Sequence, residues 1–81
     1  MLFSFMAFAF AIVALLKSES EYFKGNYKGA ELWFAIAAEL DSSKGQFALG
    51  VLYKNGQGVS QSHAEAVKWV FMIIKAIISF L

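Results

Sequence analysis

A 36-residue interval between matching residues is the feature that most constrains the fold of this chain. Trp33 and Trp69 are 36 residues apart, and Ala30 and Ala66 keep the same interval. Self-similarity at this period is typical of stacked helix pairs, in which each pair buries its apolar side against the next. We therefore expect residues 27–70 to form an α-helical repeat.

Apolar spacing predicts the first helix of this repeat between Tyr27 and Leu40. Its apolar residues follow the i, i+3, i+4, i+7, i+8 spacing of one helical face and are Ala30, Trp33, Phe34, Ala37 and Ala38. Asn26 precedes the helix and is a candidate N-cap, because its side-chain oxygen can accept a hydrogen bond from a free backbone N–H group.

Capping signals predict two further helices. Ser43, with Gln46 three residues later, is a capping-box candidate for the second helix, and Ser42 is an alternative cap. Ser62 and Glu65 form a clearer capping box, so the third helix is expected to start near His63. Between these helices, Asn55-Gly56-Gln57-Gly58 has the composition of a tight turn. We do not interpret it as a phosphate-binding loop, because its spacing does not fit one and no strand precedes it.

Two glycines lie inside the predicted second helix. Gly45 falls in its first turn and should cost about 1 kcal/mol relative to alanine. Gly50 is in the middle of the helix, where glycine is unfavourable unless another helix crosses too closely for a side chain. We expect such a crossing at Gly50.

The N-terminal sixteen residues, from Met1 to Leu16, carry no charged side chain. This run is shorter than the roughly 20 residues that a spanning helix needs, and small residues follow it before Glu21. We predict a signal peptide or an uncleaved membrane anchor over residues 1–20 and a repeat module over residues 21–81. The corresponding localisation is exported, either periplasmic or secreted, with membrane anchoring as the alternative.

The C-terminal helix is predicted to be apolar over most of its circumference. Such a helix must be covered by a partner or placed in lipid. The residues outside the repeat face that we predict to bind a partner are Val67, Phe71, Ile74 and Ile78. They are expected either to close a homodimer or to dock another protein.

The residues from Gly45 to Trp69 resemble the Sel-1-like repeat, a relative of the tetratricopeptide repeat. The matching positions are Leu49, Gly50, Tyr53, Gly56, Gly58, Val59, Ala66 and Trp69, and a preceding half repeat is matched by Ala30, Trp33, Ala37 and Ala38. The resemblance implies an all-α fold of antiparallel helix hairpins, part of an α/α superhelix of about one and a half repeats. It also implies protein–protein interaction as an adaptor or scaffold. This sequence departs from the family pattern at Gly45, and at Ile73-Ile74, which replace an alanine pair.

Composition argues against catalysis and nucleic-acid binding. With no cysteine, one histidine and one aspartate, the chain has few groups for a catalytic, metal or cofactor site. A net charge of +1 with interspersed lysines does not provide the basic surface that nucleic acid requires. The predicted function is therefore non-catalytic protein binding, and the alternative is a small membrane-associated protein with both apolar ends in the bilayer.

The aromatic residues divide into two predicted groups. Trp33 and Trp69 are expected to pack in the core, because they occupy repeat positions. Phe34, Phe71 and Tyr22 lie outside the repeat pattern and are the aromatic side chains expected to reach a ligand.

Overall fold

The computed structural model describes the backbone of residues 2–81 and the side chains of residues 5–81. Over this range the chain folds into four α-helices without strands: α1 (Leu2–Phe23), α2 (Tyr27–Glu39), α3 (Ser43–Asn55) and α4 (His63–Phe80). The all-α prediction is confirmed. Met1 and the side chains of the next three residues, which belong to the predicted leader, lie outside the described residues.

Three helices begin at side-chain caps close to the predicted positions. The Asn26 side chain accepts a hydrogen bond from the backbone N–H of Gly29, and Ser62 Oγ accepts one from Glu65 at 3.2 Å. At α3 the cap is Ser42, whose Oγ accepts from Gly45 N at 3.1 Å. Ser43 is instead the first helical residue. Each cap satisfies one of the backbone donors that a helix leaves free at its start.

Short connections turn each helix back along its predecessor. α1 packs against α2, α2 against α3, and α3 against α4, so the four helices alternate in direction. The common core is built mainly from the inner sides of α2 and α3, and consists of Ala30, Phe34, Ala38, Leu49, Leu52 and Trp69. Burial of these side chains is the main source of stability in a domain of this size.

The turn between α3 and α4 uses both of its glycines. Gly56 and Gly58 adopt positive φ angles of 67° and 74°, and residues other than glycine rarely adopt such angles. A Cβ atom at Gly58 would also collide with the carbonyl group of Tyr27. This turn therefore packs tightly against the start of α2.

α1 is one continuous helix that takes part in the fold. Ala11, Ala14 and Ser18 are buried on one side of it, and Ser18 Oγ donates a hydrogen bond to the carbonyl of Leu15. Glu19 of α1 also forms an ion pair with Lys44 of α3. The predicted domain boundary between residues 20 and 21 therefore falls inside a helix, and packed residues lie on its N-terminal side.

The close helix approach that was predicted at Gly50 occurs at Gly45 instead. A Cβ atom at Gly45 would lie 2.9 Å from both Ala37 Cβ and Ala38 N, so α2 and α3 meet too closely there for any side chain. A Cβ atom at Gly50 would meet its nearest neighbour, Ala66 O, at 3.5 Å, an ordinary contact. α4 does cross α3 at Gly50, as predicted, but the expectation that a side chain is excluded there is wrong.

Among the described residues, no helix combines the length and the apolar character needed to cross a bilayer.

Candidate protein-binding surface

An apolar groove runs between α3 and α4 on the side facing away from α2. We call it the α3/α4 groove. It has a volume of about 490 Å³ and is lined by Phe47, Gly50, Val51, Lys54, His63, Ala66, Val67, Val70, Phe71 and Ile74. Because Gly50 contributes no side chain, the floor of the groove is formed partly by backbone.

The groove walls expose large apolar side chains. Val67 and Phe71 are 65% and 63% exposed, and Ile74 is 48% exposed. These three residues were predicted to bind a partner, and the structure places them together on one wall. Ile78 is also exposed, but it lies one turn further along α4, beyond the groove.

The opposite wall comes from α3 and was not predicted. Phe47 is 61% exposed although it is a large aromatic residue, and Val51 follows it one helical turn later. Both face away from the buried pair Leu49 and Leu52. The i, i+4 spacing of Phe47 and Val51 is a signal for a second apolar face on α3, but spacing alone does not show which face a neighbouring helix covers.

The aromatic residues divide differently from the prediction. Phe34 is buried in the core, so the expectation that it reaches a ligand is wrong. Tyr22 is half-buried against the core, and its hydroxyl accepts a 3.5 Å hydrogen bond from Gln57. Phe71 is open to a ligand in the groove.

The two tryptophans differ in burial. Trp69 is buried in the core as expected, and its Nε1 atom has no hydrogen-bond partner among the described residues. Trp33 is only partly buried, with the ammonium group of Lys17 6.0 Å from its ring centroid.

Most residues of the repeat pattern have packing or turn roles. Ala30, Ala37, Ala38 and Leu49 are buried, and Gly56 is the left-handed C-cap of α3. The partly buried positions are Trp33, Tyr53, Gly58, Val59 and Ala66. The pattern therefore describes mainly how the helices stack, and the groove residues largely lie outside it.

Tyr53 is a repeat residue whose acidity is altered by its surroundings. Burial raises the pKa of its hydroxyl above the usual 10.0, and the carboxylates of Glu31 and Glu65 raise it further. Both effects disfavour the phenolate. Tyr53 therefore keeps its proton to higher pH when the chain is folded.

The groove ends differ in polarity. Lys54, in the last turn of α3, and His63, at the start of α4, line one end. Phe71 and Ile74 lie towards the other end, deeper along α4. A bound segment would therefore meet basic groups at one end and only apolar groups at the other.

The surface of α4 that borders the groove differs from its counterpart on α2. The 36-residue interval relates Ala37 and Ala38, on which Gly45 of α3 packs, to Ile73 and Ile74 of α4. Isoleucine extends further from the helix than alanine. A helix packed on α4 must therefore lie further from α4 than α3 lies from α2.

The described residues bring no three histidine or acidic side chains close enough together to hold a metal ion. No protein-family model, curated protein or solved structure matches the chain. The resemblance to the Sel-1-like repeat therefore depends on the residues quoted above.

Proposed function

We propose that this protein is a non-catalytic protein-interaction module of the Sel-1-like repeat type, acting as an adaptor or scaffold without a cofactor. The observation that carries the proposal is the α3/α4 groove, where exposed apolar side chains from two helices line one cavity. Pre-formed apolar grooves of this kind bind amphipathic helices of other proteins.

The proposed occupant is one amphipathic helix of a different protein. α3 already packs on α2 in this way, and the 36-residue interval relates the α3-facing side of α2 to the groove side of α4. The bulk of Ile73 and Ile74 favours a partner helix that fills the extra space with large apolar side chains. A second copy of this chain presents the same groove, and two facing grooves would leave unfilled space.

The basic end of the groove sets the orientation of the partner. The ammonium group of Lys54 favours an acidic side chain or a helix C-terminus at that end, and the imidazole of His63 can donate a hydrogen bond to it. The partner helix should therefore carry apolar residues at i, i+3, i+4 and i+7 and a carboxylate at one end.

We further propose that the N-terminal segment is a retained anchor and not a cleaved signal peptide. Cleavage before Glu21 would remove Ala11, Ala14 and Ser18 from the fold, and α2 would lose the helix that packs along it. The protein would then be membrane-anchored, which is the alternative localisation predicted from the sequence. The intact mass of the protein isolated from its own cells tests this, and loss of the first twenty residues would contradict it.

Photo-crosslinking in cells tests the groove directly. A photoreactive amino acid at Val67 should crosslink to a helical segment of another protein, whereas the same probe at Leu32, an exposed apolar residue on α2, should not. Substitution of Phe71 by Glu should reduce the Val67 product at least tenfold, because burying an aromatic side chain contributes about 1.5–3 kcal/mol. A product that contains two copies of this chain, or equal labelling at Leu32, would contradict the proposal.

A further inference from the structure

Two apolar helix ends project from the same end of the molecule. α1 and α4 are longer than the two helices between them, and the alternating directions bring the start of α1 and the end of α4 to the side of the α2–α3 turn. We call the projecting residues 2–9 of α1 and 76–80 of α4 the apolar overhangs. Neither contains a charged residue.

Residue contacts fix where each overhang begins. Phe10 shares a shallow cavity with Glu39 and Leu40 at the end of α2, so α1 continues past α2 for about eight residues, or roughly 12 Å. Gly50 lies opposite Ala66 and Val70. Because α3 and α4 are antiparallel, the distance from Gly50 back to the start of α3 corresponds to a stretch of α4 that ends near residue 75. α4 continues beyond that level for about five further residues, or roughly 7.5 Å.

Among the described side chains, each overhang is apolar over most of its circumference. On α1 the exposed side chains are Phe5, Met6 and Phe8, and on α4 they are Ile77, Ile78 and Phe80. At about 100° per residue, each set spans roughly 160° of the circumference. The other described side chains are small and uncharged, Ala7 and Ala9 on α1 and Ala76 and Ser79 on α4, so neither overhang has a charged face. A protein groove covers one side of a helix, whereas lipid covers all sides.

We propose that both apolar overhangs insert together into one leaflet of a lipid bilayer. This inference rests on the proposed retention of the N-terminal segment, but it does not depend on the α3/α4 groove. Insertion of roughly 7.5–12 Å overlaps the depth of about 5–10 Å to which interfacial helices bury their apolar residues, and is far short of the hydrocarbon core of about 30 Å.

A collar of charged residues limits the depth of insertion. Glu39 and Asp41 flank the α2–α3 turn, and Lys75 lies where the α4 overhang begins; all three are exposed. Their placement at one level keeps them in the headgroup region while the overhangs are buried. Because the collar has two acidic side chains and one basic side chain, burial of apolar surface drives binding and anionic lipid is not required.

Flotation of the full-length protein with phosphatidylcholine vesicles tests the proposal. Phe8→Lys and Ile78→Lys should each lower the partition coefficient about tenfold to a hundredfold, and the double variant should lower it further. Leu32→Lys is the matched control on α2 and should float like the wild type. Phe71→Glu should also float normally, which separates this inference from the proposed groove. Far-UV circular dichroism verifies that each variant is folded.

A tryptophan probe measures the depth. Phe8→Trp should be quenched by lipids brominated near the headgroup end of the acyl chain, beyond any quenching of the native tryptophans in the wild type. The proposal is overturned if the wild type fails to float, or floats only with phosphatidylserine. It is also overturned if Phe8→Lys has no effect on flotation, or if the overhangs instead hold a lipid-independent dimer that Phe8→Lys dissociates.

Discussion

The two glycines of α3 offer a matched test of how closely its neighbours pack. Gly45→Ala gains about 1 kcal/mol of helix propensity but places Cβ 2.9 Å from both Ala37 Cβ and the backbone nitrogen of Ala38. The α2 backbone cannot move without disturbing its own hydrogen bonds. Overpacking of this kind costs about 1–3 kcal/mol, and contact with backbone favours the upper half of that range, for a net destabilisation of about 1 kcal/mol.

Gly50→Ala has the opposite expected sign. Its Cβ would lie 3.5 Å from Ala66 O and 3.7 Å from the Val70 side chain, so the propensity gain of about 0.5–1 kcal/mol is kept. The two variants should therefore differ by about 2 kcal/mol, or roughly 8–16 °C in melting temperature. Thermal and urea unfolding followed by circular dichroism measures this difference. A Gly45→Ala protein at least as stable as the wild type would refute the close packing of α2 and α3.

Three further predictions address the cap of α3, its tyrosine and the packing of α1. Ser42→Ala should destabilise the chain to urea by about 1 kcal/mol, whereas Ser43→Ala should change its stability by less than about 0.5 kcal/mol; equal effects would contradict the cap geometry. Because the pKa of Tyr53 is raised on folding, its contribution to stability is fully present below pH 10.0 and is lost as the pH rises through the folded-state pKa. In unfolding titrations, Tyr53→Phe should reduce the fall in the free energy of unfolding at alkaline pH. An unchanged fall would rule out Tyr53 as its source. Ala14→Leu should lower the free energy of unfolding in urea by about 1–3 kcal/mol, because α1 packs on α2 at this position. Val13→Leu, at an exposed position, should change it little. Two nearly neutral substitutions would contradict the packing of α1 on α2.

The groove illustrates why only part of the candidate site was predictable. Val67, Phe71 and Ile74 could be identified because α4 carries more apolar residues than one packing face needs. Phe47 and Val51 could not, because α3 has apolar residues on two faces, and only the position of α2 decides which face stays open. The same reasoning explains Phe34, which lies on the predicted apolar face of α2 without being a repeat position, and which the packing of α3 buries.

The sequence by itself determined the helices and their boundaries to within a residue or two at Asn26, Ser42 and Ser62. Caps and tight turns depend on residues within about four positions of each other, so the chain encodes them locally. Only the tertiary structure decided that α1 packs as part of the fold and that Gly45, not Gly50, must lack a side chain. It also brought both apolar overhangs to one end of the molecule. These features depend on distances between residues far apart in the chain, which local patterns do not specify.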